Sequence, residues 1–400
     1  MLGKTPALIT LAFAVLALTL ASAAHAQSES VIYAFQNGTD GAFPEGGVIA
    51  DANGNLYGTT LNGGLNDGGT VFELTPNADG TWTKQEIFSF NFTDGGLPFG
   101  GLISDSQGNL YGESFIGGTF GYGEVFELSP GSNGTWTENV IYSFAGGTDA
   151  RAPLSETLTL DASGNLYSAT ENGGTYGDGA VFKLSPNSDG SWSEAVLYSF
   201  SDGNDGGYPN DEQLAVDAAG HVYGLAILDG AHDYGVVFEL VPGSNGSWTE
   251  KVLHVFGGGA DGTPLGGMTL DASGNLYGAS SYTIFELLPG TGGTWTEKEL
   301  HRFTGGSDGA YPESKLIFDK AGNLYGTTNT GGAHRGTVFE LSPGSNGTWT
   351  EKILHKFSAT GEDGVFPGYA ALARDAKGNL YGTTQQGGIL NNGVVFAVTP

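Results

Sequence analysis

Seven copies of one phrase, Asp-x-x-Gly-Asn-Leu-Tyr-Gly with small variations, run through this 400-residue chain. The steps between successive copies are 54, 56, 56, 54, 48 and 56 residues. A period near fifty with several strand-like runs per unit is typical of a β-propeller blade and not of a helical solenoid. The copies begin at Asp51, Asp105, Asp161, Asp217, Asp271, Asp319 and Asp375. We therefore predict an all-β fold, a seven-bladed β-propeller with four antiparallel strands per blade.

The second repeat shows how one blade divides into strands. Short apolar or alternating runs at residues 101–105, 109–113, 124–128 and 140–144 predict four strands. Asp105 and Gly108 predict the tight turn between the first two. Asn133-Gly134 predicts a two-residue hairpin turn between the last two.

The two ends of the chain predict how the ring closes. The C-terminal residues reach only the third strand of a seventh blade, while residues 31–35 read as an orphan fourth strand. Joined, they complete one blade and remove two exposed sheet edges.

The tryptophans recur at one place in six successive units, which favours packing between blades over stacking on a sugar. They are Trp82, Trp136, Trp192, Trp248, Trp295 and Trp349.

Residues 1–26 have the features of a secretory signal peptide. Lys4 precedes an apolar run, and Ala24-His25-Ala26 is a small-x-small cleavage site. We predict one propeller domain over residues 27–400, secreted to the extracellular space or the periplasm, with no anchor segment seen. The chain has no cysteine, so its stability is expected to come from its core and not from disulfides.

Formal net charge is −29, which repels phosphate backbones and anionic lipid surfaces. Nucleic acid and membranes are therefore not expected as partners, and we expect a monomer. No cofactor or metal is predicted. Calcium is compatible with the charge, but no calcium-binding motif supports it, because the Gly-Gly-x-Asp runs occur once per blade and not every nine residues.

The links between blades carry Asp-Gly-x-x-Pro with variations, which favours a turn at each aspartate over a ring of cation ligands. These aspartates are Asp40, Asp94, Asp149, Asp205, Asp261, Asp308 and Asp363. The fourth strands carry Tyr or His in register, at Tyr33, Tyr142, Tyr198, His254, His301 and His355. Three histidines on three blades are too dispersed for a single site, so we interpret them as packed substitutes for tyrosine.

The places where the repeat breaks are the candidate site, because an asymmetric ligand requires broken symmetry. Where blades one, two and five have Gly-Gly, blades three and four carry Glu156 and Glu212. Two interpretations are open for these glutamates: a catalytic acid and base, or polar residues of the rim that have no catalytic role. The candidate ligand-binding residues are Arg151, Asp211, His232, Asp233, Lys315, His334 and Arg335. All are expected near the channel mouth, on the face of the interblade links. The opposite face, built from uniform turns, is expected to be too regular for an asymmetric pocket.

The repeat Gly-Leu-x-x-Asp-x-x-Gly-Asn-Leu-Tyr-Gly-Thr-Thr, followed by Gly-Gly and Gly-Thr-Val-Phe-x-Leu, resembles the GloVer tandem repeats of bacterial exported "choice-of-anchor" proteins. Residues 322–341 and 378–396 show it best. The resemblance implies an exported repeat protein and no catalytic residue set. A more distant likeness to kelch blades concerns the fold only. The leading functional hypothesis is a binding or scaffold module for an extracellular polysaccharide or protein. The alternative is a carbohydrate-active hydrolase or lyase that uses the two glutamates.

Overall fold

The computed structural model describes residues 28–153, 157–201, 203–209, 213–332, 334–360, 362–367, 369 and 371–400. These residues form seven four-stranded antiparallel sheets arranged as the blades of a propeller. The predicted fold is thereby confirmed. The predicted signal peptide lies outside the described residues. No α-helix, and hence no helix capable of spanning a membrane, occurs in the described part.

Each blade consists of four strands. Blade 1 comprises Ile49–Ala50, Leu56–Thr60, Thr70–Pro76 and Trp82–Ser89; blade 2, Ile103–Ser104, Leu110–Ser114, Glu124–Pro130 and Trp136–Ser143; blade 3, Thr159–Leu160, Leu166–Thr170, Ala180–Pro186 and Trp192–Ser199. Blade 4 comprises Ala215–Val216, Val222–Ala226, Val236–Pro242 and Trp248–Val255; blade 5, Pro264–Leu270, Leu276–Ser280, Thr283–Pro289 and Trp295–Arg302. Blade 6 comprises Ile317–Phe318, Leu324–Thr328, Thr337–Pro343 and Trp349–Lys356; blade 7, Ala373–Arg374, Leu380–Thr384, Val394–Thr399 and the N-terminal Ser28–Ala34. Single 3-10 turns lie at Gly38–Asp40, Ser132–Gly134, Ser244–Gly246 and Thr291–Gly293.

The N-terminal strand closes the ring as predicted. Ser28–Ala34 pairs antiparallel with Val394–Thr399, from Ser28 opposite Thr399 to Ala34 opposite Val394. The strand begins three residues before the predicted boundary, and it therefore includes Glu29. Blade 7 is thus built from both ends of the chain.

Paired aromatic rings hold neighbouring blades together. At every interface a phenylalanine that follows the fourth strand meets, edge to face, a phenylalanine of the next blade's third strand. Phe35 and Phe72 lie 5.2 Å apart between ring centroids, and Phe357 and Phe396 lie 5.0 Å apart. Such pairs contribute about 0.5–1.5 kcal/mol each beyond the area they bury. The seven pairs are Phe35–Phe72, Phe90–Phe126, Phe144–Phe182, Phe200–Phe238, Phe256–Phe285, Phe303–Phe339 and Phe357–Phe396.

The tryptophans have the packing role predicted for them. The Trp136 ring lies against Tyr57 of the preceding blade, with 5.9 Å between centroids. The Trp82 ring of blade 1 lies against Tyr381 of blade 7 at 6.1 Å, across the closing interface between these two blades. These contacts seal the outer side of the wedge between blades.

The repeated aspartates form the predicted turn between the first two strands. In blade 3, Asp161 accepts hydrogen bonds from the backbone amides of Ser163 at 2.8 Å and Asn165 at 2.9 Å. The predicted two-residue hairpin at Asn133-Gly134 is wrong. Strand pairing ends at Pro130 and Trp136, and the intervening loop is closed by a bond from the Gly131 amide to the Thr135 carbonyl. The 3-10 turn within this loop places Asn133 in the left-handed region, at φ 64°.

Candidate functional site

Two kinds of segment build one face of the ring: the links between blades and the loops between second and third strands. Each link pairs with the loop of the blade that it enters or leaves. Ala42 bridges Asn62, and Ala310 bridges Thr330. In blade 3 the pairing extends to a short ladder between Ala150–Arg151 and Asn172–Gly173; Gly364–Val365 and Gln386–Gly387 form the corresponding ladder in blade 7. We call this side the loop face and the opposite side, formed by the other two sets of turns, the turn face.

Large exposed apolar side chains in the described part of the chain are confined to the loop face. All twelve large hydrophobic residues that are exposed lie in its links and loops, and eight of them are aromatic. The chance scatter of single apolar side chains over a surface would not concentrate them on one face. They are Leu65, Phe92, Phe120, Tyr122, Tyr176, Leu228, Tyr234, Tyr282, Tyr311, Tyr369, Ile389 and Leu390.

Glycines in the links support several of these rings. A Cβ added at Gly258 would lie 2.4 Å from the Tyr234 ring, and one added at Gly146 would lie 3.0 Å from the Tyr122 ring. The absence of a side chain therefore lets each ring lie against the backbone of the link while its other face meets solvent. The Tyr282 and Tyr311 rings form a neighbouring pair, with centroids 6.2 Å apart and a tilt of 46°.

Several predicted ligand-binding residues lie on this face. Arg151 is half-buried in the short ladder of blade 3. His232 and Asp233 are exposed in the loop of blade 4, and His334 lies at positive φ in the loop of blade 6. Their function as ligand contacts remains a prediction.

Arg335 lines a cavity of about 410 Å³ between blades 6 and 7, together with Asp363, Gln386 and Asn391. Its guanidinium lies 5.4 Å from the centroid of the Phe366 ring, a cation–π distance. Lys315 is half-buried on the segment that enters the innermost strand of blade 6. Three other predicted residues, Glu156, Asp211 and Glu212, lie outside the described residues.

The central channel is narrow because the innermost segments touch one another. A Cβ at Gly46 would lie 2.4 Å from the backbone of Gly100, so this Gly-Gly position allows neighbouring blades to meet. The channel cavity is about 270 Å³, and most of its lining is glycine or apolar. Thr157, Gln213 and Arg374 supply polar groups there, but the Gln213 amide donates to the Leu158 carbonyl at 3.0 Å and so contributes to the scaffold.

The link aspartates form the turns predicted for them. Each accepts a hydrogen bond from a backbone amide three to five residues earlier in the chain. Each also lies beside the fourth-strand Tyr or His where one is present. The Tyr198 hydroxyl donates to Asp205 at 2.9 Å, and His355 Nε2 lies 3.3 Å from Asp363. The histidines pack as predicted, with the His355 ring edge-on to Phe357 at 4.6 Å.

A glutamate that was not expected from the sequence joins most of these clusters, from the Trp-Thr-Glu or Trp-Ser-Glu stretch of the following blade. The Glu194 carboxyl of blade 3 lies beside Asp149, and burial together with that negative charge raises the pKa of Glu194 to about 7. We call each such glutamate and link aspartate an interblade acid pair. The pairs are Asp94/Glu138, Asp149/Glu194, Asp205/Glu250, Asp261/Glu297, Asp308/Glu351 and Asp363/Glu29. At the seventh interface Lys84 replaces the glutamate and contacts Asp40 at 3.0 Å.

Glu124 at the start of the third strand of blade 2 is fully buried, and no hydrogen bond to either carboxylate oxygen is present within the described residues. The corresponding residue is Thr70 in blade 1, where its hydroxyl lies 2.8 Å from that of Thr60. Burial, and then the charges of Glu138 and Asp94, raise the pKa of Glu124 to about 8. This carboxyl is therefore mostly protonated at neutral pH.

The turn face also carries a groove, and the expectation that this face holds no asymmetric ligand stays a prediction. A groove of about 520 Å³ runs between blades 1 and 2, lined by Asp51, Asn53, Tyr57, Asp105 and Trp136 among others. Its polar groups largely satisfy one another, since the Asn55 amide donates to Asp51 at 2.9 Å and the Tyr57 hydroxyl to Glu73 at 3.0 Å.

Fold and repeat together define a class, that of seven-bladed propellers made of tandem repeats. The Gloeobacter/Verrucomicrobia repeat model matches residues 19–162, 134–283 and 282–400. The chain therefore belongs to the Gloeobacter/Verrucomicrobia repeat family. None of the functionally curated proteins compared with the chain gives a match.

Solved structures with the same architecture share little sequence with this chain. A streptogramin B lyase is 14% identical with a TM-score of 0.56, covering 93% of this chain and 97% of its own. Virginiamycin B lyase from Staphylococcus aureus is 13% identical with a TM-score of 0.56, covering 94% and 99%. The extracellular domain of a one-component system from B. thetaiotaomicron is 14% identical with a TM-score of 0.57, covering 93% of this chain and 40% of that one. At these identities the likeness establishes the fold alone.

Proposed function

We propose that this protein is a secreted binding protein whose loop face holds a neutral extracellular polysaccharide. The observation that carries the proposal is the confinement of all twelve exposed large hydrophobic side chains in the described residues to that face. Exposed apolar surface on one side of a folded domain marks an interaction site.

The chemistry of the face favours a sugar polymer. Tyrosine presents a flat apolar ring and a polar hydroxyl, which suits a pyranose with apolar C–H faces and hydroxyl edges. The Tyr282 and Tyr311 rings, 6.2 Å apart, offer two adjacent stacking surfaces. A net charge of −29 disfavours anionic polymers, so the ligand class is neutral.

Binding to a glycan array, followed by calorimetric titration with the best polysaccharide, tests the proposal. Combined Tyr282→Ala and Tyr311→Ala substitutions should weaken binding about five- to 150-fold, since two rings at roughly 0.5–1.5 kcal/mol each contribute about 1–3 kcal/mol. Gln107→Ala, an exposed substitution on the turn face, is the matched control and should leave affinity unchanged. If no neutral glycan binds, or if the double variant binds as well as the wild type, the proposal is wrong.

Product analysis of the bound polysaccharides and capture of extracellular proteins distinguish the two other hypotheses. Release of shortened or unsaturated products that stops in Glu156→Gln or Glu212→Gln would favour a hydrolase or lyase. Capture of a defined extracellular protein, abolished by the tyrosine substitutions while no glycan binds, would favour a protein partner.

A further inference from the structure

Two of the seven blade interfaces combine a histidine with an interblade acid pair. One group consists of Glu29, His355 and Asp363, and the other of His254, Asp261 and Glu297. In each, one nitrogen and two carboxylate oxygens lie within 4.8 Å of one another. Among the described residues, only these two groups have this geometry.

We propose that each of these groups binds one divalent transition-metal ion, with Zn²⁺ as the best-matched ion. An imidazole nitrogen and two carboxylate oxygens form a three-ligand set that leaves a fourth position for water. Imidazole favours transition metals over Ca²⁺ and Mg²⁺, which prefer oxygen alone. Two carboxylates with a neutral imidazole carry a charge of −2, which a dication neutralises.

One candidate donor atom in each group has no other hydrogen-bond partner among the described residues. His254 Nε2 and Glu29 Oε1 are shielded from solvent, and neither has a hydrogen-bond partner among the described residues. His355 Nε2 is 3.3 Å and His254 Nε2 3.7 Å from the nearest oxygen of its link aspartate. A tetrahedral zinc ion with bonds of about 2.0–2.2 Å holds its donors about 3.3 Å apart. The donors of each group already lie within 4.8 Å of one another, so they need to approach by about 1.5 Å or less to reach this spacing.

The local turns position the aspartate of each group. Asp261 is fixed by the Gly257 amide at 2.7 Å and Asp363 by the Ser358 amide at 2.8 Å. In both groups the second carboxylate comes from the fourth strand of the next blade. A bound ion therefore joins two blades, and through Glu29 it joins the N-terminal strand to blade 6.

The interface between blades 5 and 6 provides an internal comparison. It carries His301 and the pair Asp308/Glu351, but Asp308 is held by both the amide and the hydroxyl of Thr304, each at 2.7 Å. Gly257, which lacks a hydroxyl, precedes Asp261 at the same spacing. The three donors at this interface do not converge to within 4.8 Å as those of the two groups do, so we expect no ion at His301.

Tyrosine is the natural replacement at these positions. Tyr142 and Tyr198 occupy the same register in blades 2 and 3, and each donates its hydroxyl to the link aspartate. His254→Tyr and His355→Tyr should therefore fold, which thermal unfolding followed by circular dichroism checks.

Equilibrium dialysis of the EDTA-treated chain 27–400 against micromolar Zn²⁺ tests the sites. Excess Mg²⁺ and about 0.15 M salt suppress binding to scattered carboxylates. Elemental analysis should find two zinc ions per wild-type chain, one in either single variant, none in the double variant and two in His301→Tyr. Zinc should also raise the melting temperature of the wild type and leave that of the double variant unchanged.

Each other outcome counts against the assignment. Absence of zinc from the wild type, or the same zinc content in the double variant, would overturn both sites. A single histidine substitution that leaves the zinc content at two would overturn the site at that histidine. Zinc loss in His301→Tyr would show that the ligand groups are wrongly chosen. None of these outcomes depends on glycan binding.

Discussion

Replacement of Glu124 by glutamine should stabilise the protein in alkaline solution. The unfolded chain releases the Glu124 proton near the ordinary pKa of 4.5, whereas the native protein holds it to about pH 8. The native state therefore binds more protons than the unfolded state between these values. Its free energy of unfolding must fall as the pH rises from about 4.5 to about 8, and the full loss persists at higher pH.

The pKa sets the size of this effect. The rise from 4.5 to about 8, at about 1.4 kcal/mol per pH unit, corresponds to at most about 5 kcal/mol. Glu124→Gln removes the charge and keeps the shape. The variant should match the wild type near pH 4 and exceed its stability by up to about 5 kcal/mol near pH 9. Urea unfolding between pH 4 and 9 measures the difference.

The exposed Glu362→Gln is the control and should show no such pH dependence relative to the wild type. A second variant, Glu124→Thr, introduces the residue found in the same register at Thr70 and Thr337. Like Glu124→Gln, this variant should lack the loss of stability that the wild type shows as the pH rises from about 4.5 to about 8. If Glu124→Gln is no more stable than the wild type at pH 9, Glu124 is not a buried carboxyl of raised pKa.

Two further predictions concern the closing interface. Deletion of residues 27–36 removes the fourth strand of blade 7, so the product should aggregate or melt far below the full chain; equal melting by calorimetry would refute closure by this strand. Lys84→Met should destabilise the protein by about 3 kcal/mol, the lower end of the range for a buried ion pair, because it leaves Asp40 without its ammonium partner in a largely buried position. Chemical unfolding measures this loss of stability. Lys84→Glu places a second carboxylate beside Asp40 and should destabilise the protein further. An unchanged unfolding midpoint in both variants would contradict the ion pair.

The seven-bladed ring could be predicted because the same sequence motif recurs in every blade. Seven Asp-x-x-Gly turns and six tryptophans in register are visible without knowing any contact. The hairpin at Asn133 was mispredicted because Asn-Gly also fits a longer loop, in which Asn133 takes the left-handed conformation and pairing resumes at Trp136.

The candidate site was harder to predict because it depends on contacts between repeats. Glu194 is visible in the Trp-Ser-Glu stretch, but its position beside Asp149 depends on the stagger between blades. Likewise, Tyr234 differs in sequence from a buried tyrosine such as Tyr223 only by its setting in a loop. Tyr234 is exposed because its ring packs against the backbone of Gly258, and this contact joins residues that are distant in the sequence.

The composite seventh blade has a consequence for how the molecule forms. Blades 1 to 6 are each contiguous in sequence and can assemble as they emerge, but Ser28 must wait for Thr399. Bringing such distant residues together costs roughly 5 kcal/mol in chain entropy, and contacts of this separation form slowly. Until the last residues arrive, the structure is an open arc with two unpaired edges. A circular permutant with its ends in a link between blades would complete every sheet locally, and should reach the native ring faster than the natural order of segments does.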